Sequence, residues 1–445
     1  MIRSWLGEAS FVKKTKLFYL TTDLIERGEK MIRFIHAADL HLDSPFKGLK
    51  KMHPSLFDAI HQSTFASFKK IVTTAIEKKT DFVLLCGDIY DGENQSVKAQ
   101  SFFREQMKRL QAAHIPVYLL HGNHDFMGRD SLRIQMPDNV SIFKTEVETQ
   151  LLTTASQERV AISGFSYPSR WVKERMIDHY PSRKRAVDYH IGMLHGFFEG
   201  SASKEDVYAP FSMADLLERS YDYWALGHIH KREVLNQQPI VAYSGNTQGR
   251  NPNESGDKGV YLVELEKGSE PTMTFIETAP IVWKEQQLSL KGLSSLQSVY
   301  AEIEGCLERA SEAKKTVLLS IRFDDYDGLS KDLLERIKEG DLLEGFNQQQ
   351  SDKGIYLYHL SLNPLKEQFL FRYDEAMQAS FEKSGHAFRE KDYLQTILQD
   401  LFKHPSMRGR FSELEQDEEL AETIIQSARN LLFEDIAFEE GDETS

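Results

Sequence analysis

The side chains of this chain that could do chemistry fall in five short motifs. They are Asp39-Leu40-His41, Gly87-Asp88-Ile89-Tyr90-Asp91, Gly122-Asn123-His124-Asp125, His195-Gly196 and Gly227-His228-Ile229-His230. Asp39, His41, Asp88, Asn123, His195, His228 and His230 offer oxygen and nitrogen donors and no thiolate, which suits Mn, Fe or Zn and disfavours a structural zinc finger. The carboxylate of Asp88 has two oxygens and can bridge two ions, and the Asn123 amide adds a neutral oxygen ligand. His228 and His230 are two apart, so they share a face in a strand or diverge to adjacent ions in a strand-end loop. Paired cations suit phosphoester hydrolysis, because they hold the phosphate, lower the pKa of a bound water and stabilise charge on the attacking and leaving oxygens. The leaving group still needs a proton donor. His124, an imidazole next to Asn123, is the candidate. Asp125 would either orient His124 or cap a turn.

Nearly every motif directly follows an apolar run. Met31 to Ala38 and Asp81 to Cys86 suit strands, the second nearly continuous in apolar residues as in a strand buried on both faces. Gly87 lets the chain turn tightly where that strand ends. Helical spacing runs from Ser55 to Lys79, with Leu56, Ile60, Phe68, Ile71, Val72, Ala75 and Ile76 on one face, and a second helix is predicted from Ser96 to Ala113. Strand, helix, strand, helix, strand predicts right-handed parallel crossovers in an α/β layered domain. Ligands bind at the carboxyl ends of the strands in such sheets. From Val140 onward short β-like runs appear at Arg159 to Phe165, Tyr189 to Leu194, Tyr221 to Leu226, Pro239 to Tyr243, Gly259 to Leu265 and Pro271 to Glu277. They predict a second sheet stacked on the first. His36, His53, His61, His114, His121, His179 and His190 stand alone and read as structural.

At 445 residues the chain exceeds what one hydrophobic core usually holds. Residues 1–30 read as an extension, disordered or not native, with Met31 the expected natural start; residues 31–280 carry the motifs. Residues 281–363 read as β-α-β-α-β, a smaller α+β domain, and residues 364–445 as helical with an acidic tail. Leu414, Leu420, Ile424, Ile425, Ala428, Leu431 and Leu432 form an amphipathic pattern suited to an internal bundle or to a partner's coiled coil. The formal charge of −14 argues against a broadly basic nucleic-acid surface but leaves room for a local site, since bound cations dominate the field around them. No apolar run reaches the length of a membrane span. Cys86 and Cys306 suggest no disulfide framework and fit a reducing cytoplasm.

The ordered set of motifs resembles the calcineurin-like metallophosphoesterases over residues 31 to 280. The resemblance implies an α/β fold, a two-layered β-sandwich flanked by helices, with the smaller α+β domain as a cap and the helical C-terminal region beyond it. It implies two divalent metal ions, Mn2+ foremost: Asp39, His41, Asp88 and His230 on one, Asp88, Asn123, His195 and His228 on the other, with His124 as the acid or transition-state residue. Phe34-Ile35-His36-Ala37-Ala38-Asp39-Leu40-His41-Leu42-Asp43 is similar to the opening of SbcD-type DNA repair nuclease subunits and, more closely, of YhaO-type proteins. Gly87 to Gly92 and Ser244-Gly245-Asn246-Thr247-Gln248 agree with that narrower likeness. It implies cleavage of DNA, exonucleolytic on ends and endonucleolytic on single strands, with an SbcC-like ATPase partner and homodimerisation through the helices at 55–79 and 96–113. Two features depart from the pattern. Asp91 stands where some of these nucleases carry a second active-site histidine, and Phe126-Met127-Gly128 comes after His124-Asp125 where Ser-Pro is usual. Two other functions fit the same fold, a phosphodiesterase for cyclic nucleotides or other small phosphoesters and a DNA-end-binding scaffold. The full ligand set speaks against the scaffold, and the additional domains are more than a small substrate needs.

Overall fold

The computed structural model describes residues 31–44, 54–91, 95–127, 134–200, 208–311, 315–349 and 354–363. The extension at 1–30 and the helical region at 364–445 lie outside the described residues. The described residues open with strand β1 (Met31–Ala37), helix α1 (Pro54–Glu77), β2 (Phe82–Cys86), α2 (Val97–Ala112) and β3 (Val117–Leu120). β1, β2 and β3 pair in parallel, as the alternation of strands and helices requires. Helix α2 starts at Ser96, whose hydroxyl accepts from the Ala99 amide and satisfies a donor that the first helical turn leaves open.

Further strands complete this part of the chain: β4 (Val140–Ile142), β5 (Glu148–Thr153), β6 (Arg159–Gly164), β7 (Tyr189–His195), β8 (Tyr223–Gly227), β9 (Glu233–Gln237), β10 (Ile240–Tyr243), β11 (Gly259–Glu266) and β12 (Thr272–Glu277). Helix α3 (Met213–Glu218) lies between β7 and β8. The strands form two six-stranded sheets, ordered β12-β11-β1-β2-β3-β4 and β5-β6-β7-β8-β10-β9. This is the expected two-layered sandwich, with one correction. The runs at 259–266 and 272–277 do not join the second sheet; β11 pairs antiparallel with β1, and β12 with β11, on the edge of the first. Hydrophobic alternation shows which face of a strand is buried, and these strands bury the same interlayer face whichever sheet they join. The sequence pattern does not predict strands β5 and β9: both are half-exposed edge strands rich in polar residues, Glu148-Thr149-Gln150 and Glu233 to Gln237.

Three apolar layers hold the domain together. Between the sheets, Phe34, Phe82, Leu84 and Tyr118 from the first meet Ile162, Ile191, Met193 and Tyr223 from the second. Outside the first sheet, Ile35, Val83, Leu85 and Leu119 pack on Phe68, Ile71 and Val72 of α1 and Phe103 and Met107 of α2. Outside the second, Leu194, Trp224, Leu226 and Val241 are covered by Phe165, Tyr167, Tyr180 and Phe211. His36 is fully buried in the middle layer, with Nδ1 2.9 Å from the Tyr223 hydroxyl and Nε2 3.1 Å from the Leu226 carbonyl oxygen.

Burial lowers the His36 pKa to about 4, against a weaker upward pull from the Leu226 carbonyl. The unfolded chain therefore binds a proton that the fold refuses. The stability held by neutral His36 is fully present above the unfolded pKa of about 6.5 and is lost as pH falls toward 4, about 3 kcal/mol in all. Urea unfolding of wild type and His36→Gln between pH 7.5 and pH 4.5 is expected to show a shallower acid loss in the variant; parallel curves exclude the assignment.

Beyond the sandwich the elements are β13 (Ile281–Ser289), helix α4 (Leu296–Ala310), β14 (Thr316–Asp324), α5 (Lys331–Glu339), α6 (Asp341–Gln349) and β15 (Ile355–Leu362). The three strands form a sheet in the order β13-β14-β15. The β-α-β-α-β reading holds, with α6 as an additional helix; Gly340, at φ +90°, ends α5 and lets the chain restart there. The chain divides into two compact units. Among the described residues, one holds residues 31–286 with Ile303–Ser320 and Leu342–His359, and the other holds Gln287–Glu302, Ile321–Asp341 and residues 360–363. Within the first unit, Ile281 and Trp283 pack against Leu56 and Ile60 of α1, and the Trp283 indole donates to the Gly249 carbonyl at 3.0 Å. Cys86 and Cys306 are both buried, and they form no disulfide with each other. Among the described residues no helix is long and apolar enough to cross a membrane.

Candidate metal centre

All five motifs come together at the carboxyl ends of β1, β2, β3, β7 and β8. The loop after β1 is tied to the loop after β2 through the backbone: the amides of Asp39, His41 and Leu42 donate to the carbonyls of Gly87, Asp88 and Ile89 at 3.1, 3.0 and 2.9 Å. Asp39, His41, Asp88 and His228 sit at φ +51°, +42°, +51° and +98°, in the left-handed region that side chains other than glycine rarely adopt. Such conformations each cost on the order of 1–3 kcal/mol and persist where packing over-determines them. Here they turn four neighbouring donors out of the strands toward one point.

The glycines before three of the motif residues are spacers. A Cβ on Gly87 would lie 2.3 Å from His195 Nδ1, one on Gly122 2.3 Å from Asp88 Oδ1, and one on Gly227 1.9 Å from the Cys86 carbonyl oxygen. Each contact is far inside van der Waals range, so the imidazole of His195 and the carboxylate of Asp88 occupy space that any larger residue would fill.

The donor atoms face one another. His195 Nδ1 lies 3.0 Å from the Cys86 carbonyl, which can only accept, so the proton is on Nδ1 and Nε2 carries a bare lone pair. That Nε2 stands 2.9 Å from Asn123 Oδ1 and 3.5 Å from Asp88 Oδ2. On the other side, His230 Nδ1 is 2.8 Å from the Glu254 carboxylate, which leaves its Nε2 bare, 3.1 Å from His41 Nε2. His41 Nε2 is itself 3.7 Å from Asp88 Oδ2. His195 Nε2 facing Asn123 Oδ1 sets acceptor against acceptor, which is repulsive unless a cation lies between them, and Asp88 Oδ2 stands beside both pairs. Asp39, His41 and His230 form one cluster with ligand-capable atoms within 4.8 Å, and Asp39, Asp88 and His195 another. His228 joins neither; its amide donates to both oxygens of Asp39 at 3.2 Å and its ring stands 5.2 Å, centroid to centroid, from that of His195. The donor set therefore fits divalent cations with oxygen and nitrogen ligands.

The electrostatics agree. Burial and the neighbouring Asp88 carboxylate push Asp39 well above the usual carboxylate range. Burial would push Asp88 up as well, but the imidazoles of His195, His41 and His124 outweigh it and hold that carboxyl well below the usual range. Burial lowers His41 and His228 to about 3, so both are neutral and fit to ligate near neutral pH.

Four residues outside the proposed ligand set complete the site, Asp91, Ser44, Arg250 and Glu254. Asp91 Oδ1 lies 3.2 Å from His124 Nδ1, while its Oδ2 accepts from Ser44 at 2.5 Å and from Arg250 at 3.1 Å. Burial opposes ionisation of Asp91, yet its bonds with His124 and His41 hold it far below the usual range. Burial lowers His124, but Asp91 and then Asp88 more than offset this and raise it. Asp91, not Asp125, is the carboxylate on His124. Asp125 caps the turn, accepting from the amides of Gly122 at 2.8 Å and Ile89 at 2.9 Å. Glu254 orients His230 and is held by the Asn246 amide and the Arg250 backbone N–H, both at 2.7 Å. Carboxylates that receive the second ring N–H of a ligating histidine fix its tautomer. Asp91 was visible in Gly-Asp-x-x-Asp, whereas Arg250 and Glu254 sit in a polar turn whose composition looks like ordinary surface.

Residues 32–232 match the calcineurin-like phosphoesterase family. The chain is 34% identical over 414 residues to the uncharacterized metallophosphoesterase YhaO of Bacillus subtilis, covering 90% of this chain and 98% of that one. It is 29% identical over 287 residues to the DNA double-strand break repair protein Mre11 of Methanocaldococcus jannaschii, covering 61% of this chain and 73% of that one. The Mre11 protein of Thermoplasma acidophilum is 24% identical, over 53% of this chain and 62% of its own length.

Proposed function

This chain belongs to the calcineurin-like phosphoesterase family, and from that premise we propose that it is a metal-dependent DNA phosphodiesterase, exonucleolytic on ends and endonucleolytic on single strands. The observation that carries the reading is the convergence of ligand-capable atoms, His41 Nε2 on His230 Nε2 and His195 Nε2 on Asn123 Oδ1, with Asp88 beside both pairs. Asp39, His41, Asp88 and His230 would hold one divalent cation and Asp88, Asn123, His195 and His228 the other, with Mn2+ as the expected metal. Bound there, the cations supply a hydroxide at neutral pH and offset charge on the reacting phosphate. His124 donates its proton to the departing oxygen. Asp91 keeps the ring turned and protonated for that step, and Arg250 and Ser44 fix Asp91 in turn. The imidazoles of His195 and His230 are locked in tautomer by Cys86 and Glu254, so no reorientation precedes binding.

DNA as the substrate is supported by the repair function in the names of the Mre11 relatives. An SbcC-like ATPase partner, a homodimer built through α1 and α2, a capping role for residues 281–363 and a cytoplasmic location belong to the same proposal. The test is digestion of linear duplex and single-stranded DNA alongside a chromogenic phosphodiester, with Mn2+ and with chelator. Cleavage of both kinds of substrate only with the metal is expected. Hydrolysis of the chromogenic ester alone would move the reading to a small-phosphoester enzyme, and no hydrolysis by the metal-bound protein would move it to a scaffold.

A further inference from the structure

Trp171 is half exposed, at 50%, whereas Trp224 and Trp283 are buried. It sits in the loop after β6, and that loop is fastened at both ends beside the metal centre. The Tyr167 carbonyl accepts from Met127, four residues past Asn123, at 2.8 Å, and the Val172 carbonyl accepts from Ala209 at 2.6 Å. The indole stacks on Tyr208, with centroids 5.3 Å apart and planes at 15°, and the Tyr208 ring in turn lies 4.9 Å from the ring of His228. A continuous run of rings thus leads from a proposed metal ligand to the surface.

The surroundings of Trp171 suit an anionic polymer that carries flat groups. Arg170 places its guanidinium over the indole, 5.4 Å from the centroid. Among the described residues neither Arg170 nor Lys173 pairs with a carboxylate, whereas nearby Arg175 is taken up by Glu199 and Asp215. Trp171 also walls a hollow of about 660 Å³ together with Val147, Pro168, Val172 and Met176. A cavity of that size is within the range that holds small ligands. Its wall is apolar at the indole; Lys173 lines it, as do Glu146 and Glu174, the latter 2.8 Å from His179 Nε2, while Arg170 stands over the indole itself.

We propose that Trp171 is a stacking platform for an unpaired base of the DNA strand whose phosphate lies at the metal centre, with Arg170 and Lys173 on the adjoining phosphates. The inference rests on the proposed DNA phosphodiesterase activity and names the part of its substrate that is recognised. Inside a duplex both faces of a base are covered by its neighbours, so the platform reaches bases of single strands and of strand ends. Base stacking is sequence-tolerant, because every base offers a π-face.

The test has a binding arm and a kinetic arm. In the first, oligothymidylate is titrated into metal-free wild type, Trp171→Ala and Trp171→Phe, following tryptophan fluorescence and, for all three proteins, anisotropy of a labelled oligomer. Quenching is expected in wild type and not in either variant, with affinity lowered roughly 5- to 150-fold in Trp171→Ala and largely kept in Trp171→Phe. In the second arm, KM with Mn2+ is compared for oligothymidylate and an abasic chain of equal length. Wild type and Trp171→Phe are expected to prefer the base-bearing chain, and Trp171→Ala to lose that preference. Unquenched fluorescence, or a preference untouched by Trp171→Ala, overturns the inference while DNA cleavage itself stands. Binding and quenching without any DNA cleavage keep the platform and overturn the nuclease reading instead.

Discussion

Asp88→Asn is expected to abolish hydrolysis of DNA and of the chromogenic diester together, and to do so by loss of metal and not of fold. Asparagine keeps the shape of the side chain and one acceptor oxygen, so the His124 amide, now 3.0 Å from Oδ1, retains its partner. The negative charge is what disappears, and it lies between the two groups of imidazoles, 3.7 Å from His41 Nε2 and 3.5 Å from His195 Nε2. Removing one member of a buried charge pair costs about 3–5 kcal/mol, which corresponds to roughly 10²–10⁴-fold in affinity for each cation it contacts. A bridging carboxylate would lose that at both ions at once. Wild type should gain thermal stability as Mn2+ is added, since a ligand that binds only the folded state stabilises it by mass action. The variant should show neither the gain nor measurable bound metal. Retained stoichiometric metal with full activity in Asp88→Asn would exclude the bridging assignment.

The sequence carried most of this arrangement, for a physical reason. A motif residue placed directly after an apolar run must emerge at the end of a buried strand, and parallel strands joined by right-handed crossovers bring those ends to one edge of the sheet. Asp39, Asp88 and Asn123 could therefore be assigned to the same place before their separations were known. What the order of residues could not convey was the backbone that aims them. The left-handed turns at Asp39, His41 and Asp88 go with the carbonyls of Gly87, Asp88 and Ile89 reaching across to the first loop, a contact between segments some 48 residues apart, and that at His228 with its amide's bonds to the Asp39 carboxylate. Arg250 and Glu254 escaped for a similar reason. Their charges look solvated in sequence, and only the fold turns them inward onto Asp91 and His230. The misassigned strands β11 and β12 mark a limit of the same kind, since alternation fixes the face of a strand but not its neighbour.

The role of Asp91 can be separated from that of Asp88 because the two carboxylates touch different atoms. Asp88 lies beside the imidazole nitrogens of His41 and His195; Asp91 lies 3.2 Å from Nδ1 of His124, with Arg250 and Ser44 on its other oxygen. Asp91→Asn should leave the metals bound and lower kcat on DNA by roughly 10²–10⁴-fold, the usual share of a positioned general acid. A diester whose leaving group is a nitrophenolate departs without needing a proton, so its hydrolysis should fall far less, and His124→Ala should show the same contrast. The pH profile adds a sign. Burial depresses the His124 pKa, but the bond to Asp91 and the charge of Asp88 raise it above its ordinary value, so the acid form persists to higher pH in wild type. Without the Asp91 carboxylate the alkaline fall in DNA cleavage should begin at lower pH, whereas a purely structural role for Asp91 would lower the profile without moving it. If both substrates lost activity equally in Asp91→Asn, with metal content reduced to match, Asp91 would be acting on the metals through His41, its other neighbour at 3.6 Å, and His124 would need another orienting group.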